Sequence, residues 1–131
     1  MKIPGIFKQK TSDKAVISAL REVVAERPDY VYSSPDYMSE DDEGGRCFYV
    51  HKDEDGNPVA AGCVVGAALY RLGVPLEWME QLEGRPASTL VGMLYPELSQ
   101  RTVNVLSLAQ SAQDNGDTWG VAYAKGTGET I

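Results

Sequence analysis

The tightest constraint on this chain lies between Arg46 and Glu80 (RCFYVHKDEDGNPVAAGCVVGAALYRLGVPLEWME), where a hairpin signal, both cysteines, the single histidine and a small-residue helix follow one another. Two short β-prone runs, Cys47 to His51 and Val59 to Gly62, flank KDEDGNP, and Asp55-Gly56 supplies the positive-φ positions that a tight turn needs. If the turn centres near Asp55, Cys47 falls opposite Cys63. Beyond the hairpin, Val64, Val65, Ala67, Ala68, Leu69 and Leu72 are apolar around most of a helix, which marks a buried element. Gly66 costs that helix about 1 kcal/mol relative to alanine. Its use, with Ala67 and Ala68, is to let another backbone come close. Gly73 is placed to cap the helix C-terminus.

The remaining segments arrange themselves around this centre. Thr11, Ser12 or Asp13 caps a helix whose Val16, Leu20, Val23 and Val24 form one apolar stripe, and Pro28 ends it. From Pro28 to Gly45 the chain is rich in Tyr, Ser, Pro and acid, with only Tyr30 to Tyr32 resembling a strand, so a long surface connection is expected. Tyr30, Tyr32 and Tyr37 read as anchors of that loop, each with a ring to bury and a hydroxyl to solvate. Pro75 starts a short helix closed by Gly84, and Pro86 to Met93 forms another. Ser99 caps a longer helix running to Asn115 and Gly116, and Asp117 caps a last turn or two holding Trp119, Val121 and Ala122.

The expected fold is therefore α+β, mainly α: about five short helices around a central buried helix, with one small β-hairpin. A chain of 131 residues, 43% of them hydrophobic, supports one core, with no need of metal or disulfide to fold. Residues 1–11 read as an N-terminal arm, 12–125 as a single globular domain and 126–131 as a flexible tail.

Charge narrows the partners. The formal charge is −7, from 19 acidic and 12 basic residues, which opposes attraction to a phosphate backbone. Direct nucleic-acid binding is not expected. The acids cluster: Asp36, Glu40, Asp41, Asp42, Glu43, Asp53, Glu54 and Asp55 stand against Arg46 and Lys52. Such a region is a solvated surface or a face shown to a basic partner. No stretch nears the roughly 20 apolar residues of a membrane helix, and MKIPGIFKQK lacks a secretory h-region. A cytoplasmic location is expected, where two cysteines stay reduced.

Several chemistries invite themselves and fit poorly. Cys47, His51 and Cys63 are zinc-type ligands, yet four strand steps of about 3.3 Å separate the first two. Cys63 at a helix N-terminus suits a lowered thiol pKa. A cysteine hydrolase or transferase would use it with His51 as base, but the hairpin register carries His51 to the turn end, roughly 13 Å away. KDEDGN resembles a calcium loop, but His51 and Gly62 occupy its first and twelfth ligand positions. Glu77, Glu80 and Glu83 lie at spacing three, which would align them on one helix face. Trp78, Met79 and Leu82 are expected to take the buried side and leave the three acids in water. No catalytic, cofactor-binding or metal-binding residue is assigned, and no cofactor is expected.

The order CFYVH, then GCVVGAALYRLGVPLEWM, then LSLAQSAQDNGDTWGVA, spanning about residues 14 to 125, resembles small uncharacterised proteins of actinobacteria and their phages. These bring no assigned activity, so no residue role is carried over. The resemblance implies a short, phage-type accessory protein acting in a bacterial cytoplasm. The leading functional expectation is a non-enzymatic interaction protein whose acidic loop region or exposed aromatics engage a protein, from a host or as a second copy in a homodimer. A cysteine enzyme using Cys63 and His51, and an acidic mimic of nucleic acid, are the alternatives.

Overall fold

The computed structural model describes residues 10–34 and 48–131. The N-terminal arm over residues 1–9, Cys47, and the acids from Asp36 to Glu43 lie outside those residues. Capping side chains set where the helices begin. Ser12 accepts a hydrogen bond from the amide of Ala15 and opens α1 (Asp13–Glu26), which buries Val16, Leu20, Val23 and Val24 as its spacing requires, with Ala19 completing the stripe. Tyr30 to Tyr32 form no strand.

β1 (Val50–Lys52) and β2 (Pro58–Ala61) pair antiparallel, Val50 with Ala61 and His51 with Ala60, after which an irregularity shifts Lys52 onto Pro58. Gly56 carries the positive φ of the turn, at 89°. The Asp53 carboxylate accepts the amides of Asp55 and Asn57 and fixes the remainder. The irregularity corrects the expected register. Counting back from the turn aligns position 47 with Cys63, but across the shift the partner changes by one, and the Cys63 amide donates to the Phe48 carbonyl.

α2 (Val64–Arg71) follows directly and buries Val64, Val65, Gly66, Ala68 and Leu69. The backbone that approaches Gly66 is the start of the hairpin: a Cβ there would lie 2.3 Å from the Tyr49 carbonyl oxygen. Gly73, at φ 104°, closes the helix in a Schellman arrangement, its amide on the Tyr70 carbonyl and that of Val74 on Leu69. α3 (Leu76–Glu80) and α4 (Ala87–Leu94) start after Pro75 and Pro86. α5 (Gln100–Asp114) is capped by Ser99. The last helix, α6 (Trp119–Thr127), is longer than expected and is capped by Thr118, which accepts the Val121 amide; Asp117 pairs instead with Lys125. It also runs past the expected start of the tail at Gly126, because Gly126 packs on α5, where a Cβ would stand 2.7 Å from the Val105 carbonyl oxygen.

One hydrophobic core joins the six helices and β1. α1 lies on α2, α5 packs on α6 and α4, and the hairpin rests on α3 and the start of α2. The fold is mainly α with a small β part, six helices and one hairpin among the described residues. No helix among them is long and apolar enough to cross a membrane.

Candidate functional site

Cys63 is the N-cap residue of α2, fully buried, with its thiol making no hydrogen bond. His51, in β1, is half-buried and shares a 2.7 Å hydrogen bond between Nε2 and the Tyr32 hydroxyl, which also accepts the Phe48 amide. Burial, and then the positive charge of Arg27, hold the imidazole below its usual pKa. The ring does not point toward the turn. It leans back along the ribbon over Gly62, where a Cβ would come within 2.9 Å of Nε2 and 2.2 Å of the Phe48 carbonyl oxygen. No hydrogen bond joins His51 to Cys63, and the thiol has no exposed surface.

The expectation that Glu77, Glu80 and Glu83 all stand in water fails at Glu83. α3 ends at Glu80, so the three do not share a helix face. Glu83, in the turn that follows, places both carboxylate oxygens where the chain enters β1, accepting the amides of Tyr49 and Val50 at 2.9 Å each. Glu80 pairs with Lys52 at 3.2 Å, and Glu77 remains exposed. Burial pushes the Glu83 carboxyl up to about 7, against the lowering effect of the two amides and of Lys52, with Glu80 adding to the rise. The Tyr49 hydroxyl donates to the Arg85 carbonyl, so the same turn grips β1 twice.

Gln113, on α5, is a second residue that pattern reading misses. Its buried Oε1 accepts the Val64 amide at the N-terminus of α2 (2.8 Å) and the indole N–H of Trp119 (3.1 Å). A glutamine near a helix C-terminus carries no signal of this in the sequence, because both partners arrive from other elements.

Around Trp119 the loop after α1 and the start of α6 interlock. The amides of Trp119 and Gly120 donate to the carbonyls of Tyr30 and Pro28. The Tyr30 and Trp119 rings meet edge to face at 4.9 Å. The Arg27 guanidinium lies over both, 4.1 and 4.7 Å from their centroids. Beside it, between α1, α2, β2 and α6, runs a cleft of about 420 Å³. At the hairpin turn the surface is acidic: Glu54 and Asp55 are exposed, followed by Val59, 57% exposed.

Among the described residues no group of three or more His, Cys, Asp or Glu side chains is disposed to hold a metal ion. No protein-family model, curated protein or solved structure matches this chain.

Proposed function

We propose that this protein is a non-enzymatic cytoplasmic accessory protein, of the phage-borne kind, that engages a protein partner with a basic face. The observation that carries this reading is the hairpin turn. Asp53 spends its carboxylate on the amides of Asp55 and Asn57, which holds the turn in one shape and leaves Glu54 and Asp55 facing solvent with Val59 exposed behind them. A stiff acidic ribbon with an exposed apolar residue loses little conformational freedom on binding, and its charge steers a cationic partner. Cysteine chemistry draws less support, because the Cys63 thiol is buried and is not bonded to His51.

Affinity capture from bacterial lysate tests the reading. The wild type should retain a basic protein at low salt and release it as salt rises, since charge attraction is screened over about 8–10 Å at 0.1–0.15 M. A Glu54→Gln, Asp55→Asn, Val59→Thr variant, which keeps Asp53 and hence the turn, should retain much less. Equal retention by both proteins, or none by either, overturns it.

A further inference from the structure

The cleft between α1, α2, β2 and α6 combines cations and apolar side chains in a way the protein-partner reading does not use. Its walls are Val23, Ala61, Ala67, Tyr70 and Trp119, together with Glu26, Arg27 and Arg71. Tyr70 stands 51% exposed beside it. A volume of about 420 Å³ falls within the range of small-ligand sites. The charges nearby are unequal. Arg71, also on the wall, is neutralised by Glu22 and Glu26, both from α1. Those are the acids nearest to Arg27 along the helix, and they leave it without a carboxylate among the described residues. Tyr30 and Trp119 instead hold the guanidinium against their rings, its carbon 4.1 and 4.7 Å from the two centroids. A guanidinium with no carboxylate partner keeps the paired N–H donors that can receive a carboxylate through two parallel hydrogen bonds. In a chain of net charge −7, an arginine that has no carboxylate partner among the described residues and rests against two aromatic rings, on a cleft of mixed polar and apolar lining, suits an anion with an apolar body.

We propose that this cleft binds a small aromatic carboxylate, with the carboxylate on Arg27 and the ring among Ala61, Ala67 and Tyr70. The positive field of Arg27 is felt beyond the cleft, since it helps to hold His51 below its usual pKa. The site is independent of the acidic turn, so either proposal stands if the other fails.

The test is an NMR titration of the full chain with 3-phenylpropionate and with its neutral amide, 3-phenylpropanamide. The carboxylate should shift the Trp119 indole N–H and the Ala61 and Ala67 amides with a Kd on the order of 1 mM, the amide binding about tenfold more weakly. Arg27→Gln should bring the carboxylate down to the level of the amide. Ala67→Leu, which fills the cleft without touching the cation, should weaken both compounds. Equal affinity of the two compounds for the wild type, or carboxylate binding unchanged in Arg27→Gln, overturns the proposal. So does the absence of shifts at Trp119, Ala61 and Ala67 up to about 20 mM carboxylate, some twentyfold above the expected Kd.

Discussion

Gln113 shows how much one side chain can hold. A single oxygen accepts from the first amide of α2 and from the Trp119 indole, both buried. Gln113→Ala leaves two donors without partners in the interior, at about 1–3 kcal/mol for each unmet group. The expected loss is about 2–6 kcal/mol in urea unfolding, larger than Gln113→Glu, which retains an acceptor. Glu83 makes a different prediction, in pH. Its carboxyl is raised from the ordinary 4.5 to about 7, so the folded state keeps the proton that the unfolded chain releases. The corresponding stability is present in full below about 4.5 and is lost as pH rises through about 7. Wild-type urea midpoints should therefore fall between these values relative to those of Glu83→Gln. His51, depressed by burial and Arg27, acts in the other direction, removing stability as pH falls below 6.5. It is common to both proteins, so the comparison isolates Glu83. Parallel pH profiles would refute the assignment.

At the scale of the element, two helical glycines look alike in sequence and are opposite in structure. Gly66 in α2 faces the Tyr49 carbonyl so closely that a methyl would stand 2.3 Å from it, whereas Gly92 in α4 has nothing within 4 Å. Alanine gains about 1 kcal/mol of helix propensity at either place. At Gly92 that gain is unopposed, and Gly92→Ala should raise stability by about 0.5–1 kcal/mol. At Gly66 the obstacle is backbone, which cannot swing aside. Gly66→Ala should lower stability by about 1–3 kcal/mol through overpacking. Thermal melts of the pair check both signs together. The small residues of α2 are legible as a close-approach face, but which backbone approaches is not, since it comes from a strand placed by Glu83 and the Tyr49 hydroxyl.

For the molecule as a whole, the burial of Cys63 makes its reactivity a gauge of global opening. In a Cys47→Ser background, a thiol reagent should label Cys63 at least about 10³-fold more slowly in the native protein than in urea, following the population of the open state. Rapid native labelling would mean that the α2 N-terminus opens locally and would revive the cysteine reading. Taken alone, the sequence determined what depends on neighbours a few positions apart: the α1 stripe, a cap within Thr11 to Asp13, the Ser99 cap, the Gly73 stop and the hairpin around Gly56. These are local because hydrogen bonds and apolar spacing within a turn are written in adjacent residues. Only the tertiary structure decided that Glu83 caps β1, that Gln113 ties α5 to α2, that His51 leans over Gly62 toward Tyr32, and that Arg27 rests on Trp119. Each joins residues far apart in the chain, and each polar group chose its partner only after packing had removed water as the alternative.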